Sequence, residues 1–61
     1  MKRFNENDKV IIVKEGDKHN NQKGIITSLS ELTHAPVTIY YVKFEDNTKG
    51  YYFFSELRWE I

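Results

Sequence analysis

The sequence predicts an all-β domain of five short strands rolled into a small barrel, with a single tight helical turn before the last strand. Three observations carry this. The apolar runs are short, rich in β-branched and aromatic residues, and separated by clusters of turn-formers. One run, Thr38 to Glu45, alternates with period two. No window of ten or more residues repeats with helical period. Ser28 to Thr33 is the one helical candidate, with Ser28 as cap and Glu31 at the third position, and Pro36 would stop it. The chain has 61 residues, and a domain of that size buries only roughly 60% of the surface its unfolded chain exposes. It therefore reads as one domain over residues 1–61 with one thin core, residues 1–7 being a flexible N-terminus.

The first strand is Lys9-Val10-Ile11-Ile12-Val13-Lys14, four contiguous β-branched residues between lysines. Glu15 to Lys23 has no apolar side chain and reads as a solvated, mobile loop. Gly24 to Leu29 is the second strand, and Ser30 to Val37 a second loop. In the third strand Tyr40, Val42 and Phe44 share one face, while Tyr41, Lys43 and Glu45 share the other. Asp46-Asn47-Thr48-Lys49-Gly50 is turn chemistry, because Asp and Asn bond their own backbone and Gly supplies positive φ. The third strand should fold back there onto Tyr51-Tyr52-Phe53-Phe54 as a hairpin. That strand is aromatic on both faces; Tyr52 and Phe54 are assigned inward, with Leu57 closing the end. Ser55-Glu56-Leu57 is the tight turn, and Arg58 to Ile61 the last strand.

Closure has a physical motive, since a short aromatic sheet with free edges would pair with other chains. Val10 and Ile12, one of Ile25 or Ile26, Tyr40, Val42 and Phe44, and one face of the fourth strand would fill the interior.

Composition removes several kinds of chemistry. There is no cysteine, hence no disulfide, thiolate metal site or cysteine nucleophile. Small secreted domains usually need such staples, so the expected compartment is the cytoplasm. No apolar stretch approaches a membrane span, and no apolar segment follows Met1-Lys2-Arg3-Phe4 to make a signal peptide. His19 and His34 stand in different loops with no carboxylate pair at ligand spacing, so they read as solvated histidines and not as metal ligands. Ser28, Ser30 and Ser55 lack a nucleophile-elbow context, and Glu45-Asp46 reads as turn formation. No glycine-rich loop cradles phosphate. The expectation is a protein that is no enzyme, with no catalytic residue, cofactor, metal or small-molecule substrate.

The order of elements resembles the SH3-like barrels, and in detail their bacterial KOW-like and tudor-like branch. Asp8-Lys9-Val10 resembles the D-x-V that opens such domains. Lys23-Gly24-Ile25-Ile26 resembles the K-G-x-I/V that begins the second strand of a KOW-like unit. Tyr41-Val42-Lys43-Phe44-Glu45-Asp46-Asn47 resembles the tudor-like Y-x-V-x-F-x-D-G, with Asn47 in place of glycine. Ser55-Glu56-Leu57 resembles the S-E-L turn before the last strand. The likeness spans about residues 8–61, and each of its parts is structural, so it implies a fold shared by many functions. The lysine-rich cations and the five asparagines, common in proteins of AT-rich bacterial genomes, add a resemblance to short accessory proteins of mobile elements in Gram-positive bacteria.

Two functions follow as expectations. Four tyrosines, four phenylalanines and one tryptophan exceed what so small a core can hold. An outward aromatic face that includes Tyr41, Tyr51 and Phe53 would bind a protein partner or a second copy, because aromatic side chains are favoured interface anchors. The alternative is KOW-like binding of RNA or DNA through Tyr41, Lys43, Lys49, Arg58 and Trp59, rings for stacking beside cations. Against it stands the balance of 9 basic and 9 acidic residues, which excludes binding driven by net charge.

Overall fold

The computed structural model of the chain describes residues 3–32, 34 and 36–60. Within them five antiparallel strands form one sheet: β1 (Lys9–Ile12), β2 (Lys23–Glu31), β3 (Thr38–Phe44), β4 (Lys49–Phe53) and β5 (Leu57–Trp59). A 3₁₀ turn, η1 (Phe54–Glu56), precedes β5. The strand order is β4-β3-β2-β1-β5. The all-β class and the turn before the last strand are as the sequence predicts. Closure is not: β4 and β5 are the two edges of an open sheet. Between those edges the chain runs through η1 and not as a paired strand. Its Glu56 ties the last residue of β4 to the chain just past β1, its carboxylate accepting the Phe53 N–H at 2.9 Å and its carbonyl accepting the Val13 N–H at 2.8 Å.

The sheet wraps one core of Phe4, Val10, Ile12, Ile26, Tyr40, Val42, Phe44, Tyr52 and Leu57, with Leu29 packed against it. Burying each such side chain contributes about 1.5–3 kcal/mol. Tyr40, Val42 and Phe44 face inward as their alternation predicts. In β2 the inward choice falls on Ile26. The register with β3 slips between Ile26 and Ser28, a bulge that leaves Thr27 unpaired. The slip exchanges the two faces, so that Leu29 turns toward the core beyond it. Gly24 is buried where β2 presses on β3, and an added Cβ would lie 2.4 Å from Val42 Cγ1.

Several expectations are corrected. Phe54 does not follow Tyr52 inward; it begins η1 and is 43% exposed, because the chain leaves extended geometry after Phe53. β4 starts at Lys49, so Lys49 and Gly50 belong to a strand and not to the turn. The turn itself is Glu45–Thr48, with Asn47 at φ 68°, the left-handed position that a glycine would otherwise fill. Asp46 Oδ1 accepts from both the Thr48 N–H at 3.1 Å and the Thr48 hydroxyl at 2.5 Å. Ser30 and Glu31 extend β2 instead of opening a loop, and Leu57 belongs to β5. Thr33, Ala35 and Ile61, assigned to the second loop and the last strand, lie outside the described residues.

The first loop departs most from expectation. His19 is not solvated: it is buried at 5% exposure and stacks on Phe44 with ring centroids 3.9 Å apart. Backbone bonds from Asp17 to Lys14, from Asn20 to Asp17 and from Gln22 to His19 wind the loop into consecutive turns. The stretch read as a flexible N-terminus contains Phe4, whose ring is 2% exposed.

Candidate functional site

The strand registers sort the nine aromatic rings. On the outer face, β3 and β4 set three residue pairs side by side: Ile39 opposite Phe53, Tyr41 opposite Tyr51, and Lys43 opposite Lys49. Tyr51 is 66% exposed and Tyr41 41%, with ring centroids 6.5 Å apart. Ser28 and Ser30 of β2 border Tyr41 and Ile39. The result is a patch of two wet phenol rings inclined at 52° to each other, apolar at the Phe53 end and doubly cationic at the Lys43 end.

Register also carries the cationic end across the sheet. Lys43 faces Ile25, and Ile25 faces Lys9. Lys49, Lys43, Ile25 and Lys9 thus form one transverse row, with strands about 4.8 Å apart. A second row runs Lys23, Ile11, Arg58. Lys9, Lys23 and Lys43 line an open groove together with Ile25, Thr27, Glu45 and Glu60. Glu60 is engaged by Lys23 at 3.2 Å.

Net charge conceals this arrangement. Each of the five strands carries one cation: Lys9, Lys23, Lys43, Lys49 and Arg58. Glu31, at the end of β2, is the one acid inside a strand, and it is paired with Arg3. The remaining acids lie in turns, loops and η1. Among the described residues neither Lys43 nor Lys49 has an ion-pair partner within the chain. Like charges directly opposite on neighbouring strands destabilise a sheet, so this pair is a local cost without internal compensation.

Trp59 is not on this face. It pairs with Val10 and so falls on the core side of β5, where its ring packs 4.2 Å from that of Phe4. Phe54 leans on Phe4 from another side at 5.2 Å, and Tyr40 meets it edge-on at 5.5 Å. Trp59, Phe54 and Phe4 are the plug at one end of the core. Arg58 is outward, in the second row beside Ile11. Of the residues expected to share a surface, the structure joins Tyr41, Lys43, Lys49, Tyr51 and Phe53, sets Arg58 on the far side of the same sheet, and removes Trp59.

Sequence reasoning passed over a second constellation, at the edge of β4. The Tyr52 hydroxyl donates to Asp17 Oδ2 at 2.8 Å, and the same oxygen accepts the His19 N–H at 3.0 Å. The Tyr52 hydroxyl holds the Asp17 carboxyl below its ordinary range, with the His19 amide adding to the effect. Burial, and then the bond to Asp17, pushes the Tyr52 phenol well above its own. Asp17, Lys18, His19, Lys49, Gly50, Tyr51 and Tyr52 line a hollow of about 290 Å³ there. No signal in the sequence joins Asp17 to Tyr52, because the contact spans 35 residues.

Among the described residues no group of three His, Cys, Asp or Glu could hold a metal ion, and no helix is long and apolar enough to cross a membrane. No family model matches the chain, and no curated protein or solved structure matches it.

Proposed function

We propose that this chain is a non-enzymatic binding module that holds single-stranded nucleic acid on the outer face of β2, β3 and β4. The observation that carries the reading is the uncompensated Lys43–Lys49 pair set directly beside the exposed Tyr41–Tyr51 pair. Bases present flat π faces that stack on phenol rings whatever their sequence, and the backbone presents one anion per nucleotide. A surface for such a strand needs rings flanked by cations, and the cations here continue through Lys43 to Lys9 across the groove. The resemblance to KOW-like barrels accords with this assignment. Neutral net charge is no obstacle where the strands themselves carry five cations and one acid.

The test is titration of a short mixed-sequence oligonucleotide followed by amide resonances and by affinity against salt. Binding is expected to weaken with a log–log slope of about −2, from about −0.7 for each phosphate held by Lys9, Lys43 and Lys49. Shifts should concentrate on Tyr41, Lys43, Lys49 and Tyr51. If no amide shifts at low salt, the reading is wrong.

A second reading rests on the other half of the same face. Phe53, 44% exposed, stands opposite Ile39 and beside the hollow formed by Pro36, Val37 and Thr38. An apolar end of this kind suits docking of a protein partner or of a second copy. Sedimentation at rising concentration tests the second copy: self-association that is insensitive to salt and lost in Phe53→Ala would favour it.

A further inference from the structure

The face ends at Tyr51, but the cations do not. Past Tyr51, in the hollow between the first loop and the edge of β4, Lys18 joins Lys49. Neither has an ion-pair partner among the described residues. Lys18 also lies between two fixed neighbours. Asp17 is tied to the Tyr52 hydroxyl at 2.8 Å, and the His19 ring is buried against Phe44. The loop is closed behind them by the Lys14 N–H on Asn20 Oδ1 at 2.9 Å and the Asn21 N–H on the Ile12 carbonyl at 2.7 Å. An exposed lysine in a loose loop loses much of its attraction to ordering entropy, whereas one on a fixed backbone loses less. Asp17 lines the same hollow, and its Oδ2 is already taken by the Tyr52 hydroxyl and the His19 amide.

We propose that this hollow is a phosphate site, in which Lys18 and Lys49 hold one backbone phosphate of the strand whose adjoining base rests on Tyr51. The inference rests on the nucleic-acid reading above and adds a direction to it. The strand runs across the sheet, from the first loop over β4 and β3 toward Lys9, and not along β3. Tyr52 is a positioning residue: its hydroxyl touches no nucleic acid and acts by holding Asp17, and hence Lys18, over the edge of β4.

The experiment compares wild type, Lys18→Ala, Tyr52→Phe and the double variant, with Arg3→Ala, which lines neither the hollow nor the groove, as an exposed control. Each is titrated with one sequence as DNA and as RNA, over a range of salt. Lys18→Ala should bind several-fold more weakly at low salt and lower the salt slope by part of the about 0.7 that one phosphate contributes, since Lys49 still holds it, equally for both strands. Arg3→Ala should leave the slope unchanged. Tyr52→Phe should lose most of the Lys18 contribution, so the double variant binds no more weakly than the weaker single one. An unchanged slope in Lys18→Ala, while wild type binds, overturns the phosphate site and leaves the face intact. A loss confined to RNA overturns it too, because the group held is then the 2′-hydroxyl. Additive losses in the double variant overturn the positioning role of Tyr52. If wild type binds neither strand, the face and the hollow fall together.

Discussion

Two groups of rings break the surface of this small sheet, and exposure does not tell them apart. Phe54 and Trp59 are 43% and 40% exposed, and Tyr41 is 41% exposed. The difference lies in what each ring touches. Trp59 and Phe54 rest on the buried Phe4 ring, at 4.2 Å and 5.2 Å, and turn their free edges outward as a plug turns its head. Tyr41 and Tyr51 stand on the opposite side of the sheet from the core, touching each other and bordered by two lysines. A half-exposed ring above a buried ring is packing. A half-exposed ring above a strand, beside unpaired cations, is the surface we propose to bind.

That contrast can be broken by mutation, and the plug should show the largest effect. Phe4→Ala is expected to lose about 3–5 kcal/mol. A chain of this length holds about 3–9 kcal/mol in all, so a urea titration should find it largely unfolded. Gly24→Ala forces a Cβ into Val42 and should lose about 1–3 kcal/mol by the same titration. It tests the core that lies under both groups. Tyr51→Ala should shift stability by less than about 1 kcal/mol, the value of one cross-strand pair. Its affinity for single strands should fall by about 1–3 kcal/mol, read by titration at fixed salt. Trp59→Ala should reverse that pattern, destabilising by about 1 kcal/mol or more while leaving affinity per folded molecule unchanged. If Trp59→Ala and Tyr51→Ala weaken binding alike, the two groups are one surface and the distinction is wrong.

The smallest effect is one of pH. The Asp17 carboxyl is lowered by the Tyr52 hydroxyl, and that of Asp46 by the Thr48 hydroxyl. The folded state therefore prefers the carboxylates. Their stabilisation is complete above about pH 4, the value for an unfolded Asp, and is lost as pH falls through the lower folded values. Asp17→Asn should flatten that acid limb in melting temperature against pH, and should leave the region above neutrality unchanged.

How much of this was legible in the sequence depends on how local the cause is. The Tyr40, Val42 and Phe44 face could be read because an uninterrupted strand alternates strictly. Ile26 could not be chosen over Ile25, because the bulge at Thr27 exchanges the faces midway through β2. Phe54 was misplaced because the 3₁₀ turn begins one residue before the polar Ser55. The acidic and basic residues balance in the count, and only the registers show the cations in the strands and the acids in the loops. Trp59 and Arg58 sit side by side in the chain, and pairing with β1 is what sends them to opposite faces. His19 reads as solvated from its polar neighbours, and a long-range stack on Phe44 buries it within the loop.

Glu56 joins the end of β4 to the chain just past β1. It takes the amide of Val13 at its carbonyl, the amide of Phe53 at its carboxylate, and Lys14 at 3.3 Å on its other carboxylate oxygen. One residue thus ties β4 to the β1 side of an open sheet. Deuterium should enter at Val13 and Phe53 in a single event, earlier than in the central strands, and the molecule should come apart along this line like a coat unbuttoned at one button.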